Sequence, residues 1–245
     1  IIKRLSYRGY DSFGVSTLTQ DNKLERFVCL KEEELDNCDF KGNISISHCR
    51  WATTSKATLV NSHPHIGSHK NSKYQCSIVH NGNIENYLEL REQLEKEGYI
   101  FKSETDSEVI AHLFHQLLSK FSYGDHIREP IVELLSIIKG QYSIIIINNF
   151  PICKDYLIFV CNGSPLIISN NGYIASDENA LIGYVDKIYR LKDGDFGFIH
   201  QSHPIGNLYV YLNGSNEIHN RWEELENKDI KISKGGEEHF MLKEI

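Results

Sequence analysis

The most apolar stretch of the chain, Tyr142 to Ile147, is the feature that most limits what the chain can fold into. It is far shorter than the roughly 20 residues that a membrane-spanning helix requires, so we expect a buried strand and no membrane association. A chain of 245 residues with 40% hydrophobic and 24% charged side chains can bury a core of its own. Because no Pro/Gly/Ser-rich stretch divides it, we expect one compact domain.

Helical patterns occupy the middle of the chain, with short β patterns on both sides. Asn81-Gly82-Asn83 is a turn signal that predicts an amphipathic helix after it, ending at Gly98. That helix would place Ile84, Tyr87, Leu88, Arg91 and Leu94 on one side. A capping-box pattern, Thr105-Asp106-Ser107-Glu108, starts a second helix, and a third is predicted from Ile127 to Lys139.

The β patterns complete an α+β fold. They are Ile44 to Cys49, Cys76 to His80, Tyr142 to Ile147, Tyr156 to Val160, Leu166 to Ile168, Val185 to Leu191, Phe196 to Ile199 and Leu208 to Tyr211.

The charge of the chain argues against a nucleic-acid or anionic-membrane partner. The net charge is −7, and the sequence contains no block of lysine and arginine residues. A small anionic or zwitterionic ligand needs only local positive charge, so that class of partner stays open.

The cysteines favour a reducing, cytoplasmic setting. Six are present without a CxxC pair, and a domain of this size needs no disulfides. The chain begins with Ile-Ile-Lys and has no secretory signal pattern, so we expect that residues normally precede it.

Arg50-Trp51-Ala52-Thr53 follows a predicted strand and is the first candidate for a binding site. An arginine at a strand end, with polar neighbours, can hold a carboxylate with two parallel hydrogen bonds. The alternative is a surface arginine beside a core tryptophan.

Asn81-Gly82 is the second candidate. In a tight turn before a helix, a side-chain amide and an unobstructed backbone N–H can point at one developing negative charge, as in an oxyanion hole. The alternative is a simple turn, because Asn-Gly is common wherever φ must be positive.

Asp106, in the first turn of a predicted helix, is the third candidate. Its carboxylate could cap the helix and do nothing more, or it could accept hydrogen bonds from a ligand ammonium group. An arginine for a carboxylate and an aspartate for an ammonium group are together the minimum set for binding an α-amino acid.

A rival hypothesis is a zinc or iron site at His63-Pro64-His65, with His48, His69 and His80 nearby. No cysteine or carboxylate joins these histidines at a recognised spacing, so we expect no metal. A serine hydrolase and a phosphate-binding loop are disfavoured, because the chain has no Gly-x-Ser-x-Gly and no glycine-rich loop of those kinds.

Eight segments, in order, resemble one family. They are Tyr7-Arg8-Gly9-Tyr10-Asp11-Ser12, Arg50-Trp51-Ala52-Thr53, Asn61-Ser62-His63-Pro64-His65, Val79-His80-Asn81-Gly82-Asn83-Ile84-Glu85-Asn86-Tyr87, Ser103-Glu104-Thr105-Asp106, Gly163-Ser164-Pro165-Leu166, Ala175-Ser176-Asp177 and His239-Phe240-Met241-Leu242-Lys243-Glu244-Ile245. The set resembles the glutaminase domain of the glutamine:fructose-6-phosphate amidotransferases (isomerizing), or glucosamine-6-phosphate synthases. The first and last segments separate this family from other class II amidotransferases.

The resemblance implies a fold and a set of roles. The fold is a four-layer αββα sandwich of the N-terminal-nucleophile hydrolase type, over residues 1–235, with a linker beginning at 236–245. The implied roles for L-glutamine are Arg50 and Thr53 for the α-carboxylate, Asp106 for the α-ammonium group, Asn81 and the Gly82 N–H for the oxyanion, Trp51 on a covering flap, and Arg8 and His63 as supports. No cofactor or metal is implied.

The chain departs from the family at three places. The family's nucleophile is an amino-terminal cysteine whose own amine, with a pKa of about 7.7–8.0, can act as base, and none of the six cysteines here is terminal. The flap has Thr54-Ser55 where the family usually has His-Gly, and we expect the Thr54 backbone N–H to serve in place of the histidine.

The third departure is that the chain stops at Ile245, before the sugar-isomerase domains that would bind fructose 6-phosphate. The resemblance therefore implies the glutaminase part of a homo-oligomeric parent enzyme in the hexosamine pathway, inactive as given. The alternative is a noncatalytic glutamine-binding or regulatory module.

Overall fold

The computed structural model describes residues 1–52, 55–121, 126–200, 208–212, 215–216 and 222–225. Thr53, Thr54 and the predicted domain boundary at residue 235 lie outside these ranges. The helices are α1 (Tyr87–Lys96), α2 (Asp106–Lys120) and α3 (Arg128–Ile137), with 3-10 helices at Ile2–Arg8, Glu32–Asn37 and Glu178–Ala180. No helix among the described residues has the length and apolar character needed to cross a bilayer.

The strands lie before and after the run of three α-helices in the chain. They are β1 (Ser12–Thr19), β2 (Leu24–Cys29), β3 (Gly42–Arg50), β4 (His65–Ser68), β5 (Gln75–Ile84), β6 (Gly140–Asn148), β7 (Tyr156–Asn162), β8 (Ile167–Ser169), β9 (Ile174–Ala175), β10 (Lys187–Arg190), β11 (Phe196–His200), β12 (Leu208–Leu212), β13 (Ser215–Asn216) and β14 (Glu223–Glu224).

Within the described ranges the strands form three antiparallel sheets. The largest has the order β13-β12-β11-β7-β6-β5-β4, and the smaller two have the orders β2-β1-β3 and β14-β10-β8-β9. Strands β5 and β6 pair over their whole length, from Cys76 opposite Asn148 to Ile84 opposite Gly140. Each of the predicted β patterns falls on an observed strand.

Strand β6 is buried on both faces, which explains its isoleucine run. Ile144 and Ile146 pack in the core formed with the helices, and their neighbours Ile145 and Ile147 pack against the β2-β1-β3 sheet. Successive side chains of a strand point to opposite faces, so a strand between two apolar layers must be apolar at every position. The prediction of a buried strand is confirmed.

The elements stack in four layers. Helices α1 to α3 cover one face of the large sheet, and both smaller sheets pack on its other face. The 3-10 helices form the fourth layer: Leu35 packs with Phe13 and Cys29 of the β2-β1-β3 sheet, while Leu5 packs on the core beneath the other small sheet. This is the predicted αββα sandwich.

The prediction of a turn at Asn81-Gly82-Asn83 is wrong. These residues continue strand β5 and pair with Ser143, Tyr142 and Gln141 of β6, and the helix begins only at Tyr87. Asn-Gly is common in turns because glycine tolerates positive φ. Here Gly82 has a φ of 137° inside a paired strand, so the same property serves a different structure.

The predicted face of α1 is also wrong in part. Ile84 belongs to β5, and Leu88 is 60% exposed, whereas Leu90 and Leu94 are buried. The predicted end is confirmed: Gly98 has a φ of 92°, and the N–H groups of Gly98 and Tyr99 donate to the Glu95 and Leu94 carbonyls. This pattern is a Schellman motif.

Helix α2 begins where the capping-box pattern predicts, but its hydrogen bonds differ. Thr105 occupies the N-cap position without a capping hydrogen bond from its side chain. The Glu108 carboxylate instead accepts from the backbone N–H groups of Lys102 and Ser103. Glu108 therefore orders the segment leading into the helix, rather than the cap itself.

Substitution of Gly82 by alanine should destabilise the protein far more than the same change at Gly183. A Cβ at residue 82 would lie 2.0 Å from the Gln141 carbonyl oxygen, whereas nothing lies within 4 Å of a Cβ at Gly183, whose φ of 78° is also left-handed. We expect Gly82→Ala to lower the free energy of unfolding by more than about 3 kcal/mol and Gly183→Ala by about 1–2 kcal/mol. Urea denaturation of both variants measures this, and equal losses would contradict the pairing of β5 with β6.

Candidate active site

A cavity of about 350 Å³ lies where the end of β3, the middle of β5 and the start of α2 meet. Seven of the nine residues proposed from the sequence line it: Arg8, Arg50, Trp51, His63, Asn81, Gly82 and Asp106. The other two, Thr53 and Thr54, lie outside the described residues. Segments far apart in the sequence are therefore brought to one place.

Arg50 is buried, with 6% of its surface exposed, so the alternative of a surface arginine is wrong. Burial lowers the pKa of its guanidinium, while the nearby carboxylates of Asp11 and Asp106 act in the opposite direction. An arginine side chain stays charged in proteins, so the cavity contains a fixed cation. Its guanidinium donates hydrogen bonds to Ser55 and to the Lys56 carbonyl.

The backbone at Arg50 is fixed by the Tyr7–Ser12 segment. The Asp11 N–H donates to the Arg50 carbonyl over 3.1 Å, and the Asp11 carboxylate accepts from the Ala52 N–H over 2.8 Å. A Cβ on Gly9 would lie 2.8 Å from the Arg50 carbonyl carbon, so the close approach requires glycine. Asp11 was not proposed from the sequence as a site residue.

Arg8 and Trp51 flank the cavity. Arg8 donates to the Ser176 carbonyl over 3.0 Å and lies 3.4 Å from the Asp177 carboxylate, so it joins two of the segments that carry the family resemblance. The Trp51 ring lies 5.8 Å from the Tyr10 ring, centre to centre.

Asn81 and Gly82 present a polar strip along one wall of the cavity. The Asn81 side chain is exposed to the cavity, and its amide makes no hydrogen bond within the described part of the chain. The strand pairing with β6 fixes the backbone on either side. A side-chain amide on a fixed backbone, beside a glycine, is suited to meet negative charge on a ligand oxygen.

Asp106 is the first residue of α2 and faces the same cavity. Its Oδ2 accepts from the Ile84 N–H over 2.9 Å, so the carboxylate ties the helix start to the end of β5. Its Oδ1 accepts from the Ser107 hydroxyl over 3.3 Å. Asp106 therefore does more than cap its own helix, and a carboxylate oxygen has room for a further donor.

A cluster of histidines lies behind these residues. The His48 and His63 rings stack with centres 4.3 Å apart, and the His65 ring meets His63 edge-on at 4.7 Å. Burial lowers the pKa of His48 and His65 to about 3, that of His80 to about 4, and that of His63 well below its ordinary value. These rings are neutral at physiological pH, so the charges in the cavity come from arginine and aspartate.

The histidines pack as rings and hydrogen-bond to protein groups. His63 Nδ1 accepts from the His80 N–H over 3.4 Å, and His80 Nδ1 lies 2.9 Å from the Ser107 hydroxyl. His69 lies elsewhere, next to Tyr99. Among the described residues, no three histidine, cysteine or acidic side chains are arranged to hold a metal ion.

Ser107 and Ser143 line the cavity but were not proposed as site residues. Ser107 lies between His80 and the Asp106 carboxylate, so it helps to orient that carboxylate. Ser143 donates to the Ser164 carbonyl over 2.6 Å. The sequence pattern could have identified Ser143, because it is a single hydroxyl beside a run of isoleucines. Ser107 gives no such signal, because it lies within a capping-box pattern that explains it without a site.

The cysteines of the chain include no activated thiol in this cavity. All six lie within the described residues, and Cys49 is the one that lines the cavity. Burial raises the pKa of its thiol to about 12, so it carries almost no thiolate at neutral pH. Ile1 and Ile2 line the same cavity, so the amino end of the chain lies beside Arg8 and Arg50.

The sequence has known relatives along its whole length. Residues 61–180 match a family described as the glutamine amidotransferase domain. The glutamine–fructose-6-phosphate aminotransferases (isomerizing) of Acinetobacter baylyi and Aquifex aeolicus are 37% and 38% identical over 100% of this chain. The chain covers 38% and 40% of those two relatives, so it spans well under half of their length.

Two solved structures share the fold. The allosteric regulatory enzyme of purine biosynthesis has a TM-score of 0.63 at 27% identity, covering 80% of this chain and 42% of that one. Glutamine phosphoribosylpyrophosphate amidotransferase from B. subtilis, complexed with ADP and GMP, has a TM-score of 0.63 at 22% identity, covering 87% and 50%. The chain therefore belongs to the glutamine amidotransferase domain family and is homologous to the glutaminase portion of the glutamine–fructose-6-phosphate aminotransferases.

Proposed function

We propose that the cavity binds L-glutamine through both ends of the amino acid. The observation that carries this proposal is that the Arg50 cation, the Asp106 carboxylate and the Asn81-Gly82 strip line one cavity of about 350 Å³. Arg50 takes the α-carboxylate and Asp106 the α-ammonium group. Charge-assisted hydrogen bonds of this kind contribute about 1.5–3 kcal/mol each.

The side-chain amide of glutamine then extends toward Asn81 and Gly82. Attack on the amide carbon places negative charge on its oxygen, and the Asn81 amide with the Gly82 N–H stabilises that charge. A thiolate forms the new C–S bond, the C–N bond of the amide breaks, and its nitrogen takes up the proton lost by the thiol and leaves as ammonia. Water then hydrolyses the thioester, which releases glutamate and regenerates the thiol. In this proposal Thr53 assists in holding the α-carboxylate, the backbone N–H of Thr54 serves the bound glutamine, and Trp51 covers the amino acid.

The nucleophile in this proposal is a cysteine that precedes Ile1. Two observations support it: Ile1 and Ile2 line the cavity, and burial raises the pKa of the Cys49 thiol to about 12. In the whole protein, the ammonia would pass to fructose 6-phosphate, because relatives that are 37–38% identical carry that sugar phosphate in their names.

A noncatalytic glutamine-binding module is the second candidate. It is favoured by the sequence Thr54-Ser55, which stands where the family usually has His-Gly. Glutamine binding is common to both candidates, and turnover separates them.

Replacing either charged residue should weaken glutamine binding. We expect Arg50→Ala and Asp106→Asn each to make the binding free energy less favourable by about 1.5–3 kcal/mol, because each removes a charge-assisted hydrogen bond. Arg190→Ala and Asp36→Asn are matched controls: Arg190 pairs with Glu178 and Glu223, and Asp36 pairs with Lys3, all at the surface. Isothermal titration calorimetry with L-glutamine gives the four affinities. Unchanged binding in Arg50→Ala would remove Arg50 from the site.

Completing the amino end should produce glutaminase activity. We expect a chain extended by a segment that begins with Cys-Gly-Ile to release ammonia and glutamate from glutamine, and the same chain with serine in place of that cysteine to release none. A coupled glutamate assay measures both. If the extended chain binds glutamine but does not hydrolyse it, the noncatalytic module is the correct description.

A further inference from the structure

Ser55 contacts the guanidinium of Arg50 through two of its atoms. Arg50 Nη2 donates to the Ser55 hydroxyl over 2.7 Å and to the Ser55 carbonyl over 3.3 Å. Arg50 Nη1 donates to the Lys56 carbonyl over a longer distance, 3.5 Å. The cation that faces the cavity therefore already has partners from its own chain.

These contacts occupy the part of the guanidinium that a carboxylate needs. Arginine has five N–H donors in a rigid plane, and a carboxylate is held best by two parallel N–H groups. The two pairs that can do this are Nη1 with Nη2, and Nε with Nη2, so Nη2 belongs to both. Because Nη2 already donates to two oxygen atoms of Ser55, a carboxylate that uses either pair must compete with Ser55 for this nitrogen.

The backbone that presents Ser55 is anchored. The Lys56 carbonyl also accepts from the Asn61 side-chain amide over 3.1 Å, and the side-chain oxygen of Asn61, Oδ1, accepts from the Glu104 N–H over 3.1 Å. Asn61 is buried, with 4% of its surface exposed. The hydroxyl of Ser55 is the shortest of the contacts to Arg50, and rotation about one side-chain bond can remove it while this backbone stays in place.

We propose that Ser55 competes with the ligand's α-carboxylate for Arg50 and thereby determines how tightly the site binds its amino acid. This inference rests on the proposed function of the cavity. In the free protein the hydroxyl satisfies Nη2. On binding, the carboxylate displaces the hydroxyl, and the lost hydrogen bond to a charged donor reduces the net affinity.

The test compares Ser55→Ala with Ser55→Thr and the unmodified chain. Alanine removes the competing hydroxyl, so the dissociation constant for L-glutamine should fall by roughly threefold to tenfold. Threonine keeps a hydroxyl at the same position and should stay within about twofold of the unmodified chain. Calorimetry gives the constants, and thermal unfolding of each variant shows that it is folded.

The outcomes separate this inference from the function on which it rests. If Ser55→Ala binds glutamine no more tightly than the unmodified chain does, Ser55 does not compete with the ligand. The glutamine site itself still stands in that case, provided that the unmodified chain binds glutamine and that Arg50→Ala weakens this binding. Tighter binding by Ser55→Thr as well would also overturn it, because the hydroxyl would then not be the cause. No glutamine binding by the unmodified chain contradicts the proposed function and this inference together.

Discussion

The pairing of β5 with β6 is the constraint on which the rest of the structure depends. It places Asn81 and Gly82 opposite Ser143 and Tyr142, and it leaves so little room that a Cβ at residue 82 would lie 2.0 Å from a carbonyl oxygen. The same pairing carries the isoleucines of β6 between the helical layer and the smaller sheets. One strand pair therefore supports both the core and one wall of the cavity.

The polar wall of the cavity is built by hydrogen bonds between segments that are distant in the sequence. Asp106 reaches the Ile84 N–H at the end of β5, and Asp11 holds the backbone around Arg50 at the end of β3. The buried histidines behind them are neutral at physiological pH because burial lowers their pKa values. Arg50 and Asp106 thus place a cation and an anion in one cavity beside a neutral histidine wall, which is the arrangement that a zwitterion requires.

Periodicity predicted the elements of an α+β fold, and the family resemblance implied their four layers; the local geometry of the site was predicted less well. Periodicity located the strands and helices because it reports which face of each element is buried. It failed at Asn81-Gly82, where a turn dipeptide lies inside a strand, because positive φ is compatible with both structures. The Arg50 and Asp106 candidates were identified from residue type and position, but their burial and their partners depend on contacts with Ser55, Asp11 and Ile84, which no local pattern encodes.

A crystal structure of this chain with L-glutamine would show directly whether and how the cavity binds the amino acid. We expect one amino acid in the cavity, with its α-carboxylate at Arg50, its α-ammonium group at Asp106 and its amide oxygen toward Asn81 and Gly82. The Ser55 hydroxyl should have turned away from Nη2. Glutamine bound in the opposite orientation, or bound outside this cavity in crystals saturated with the ligand, would contradict the account.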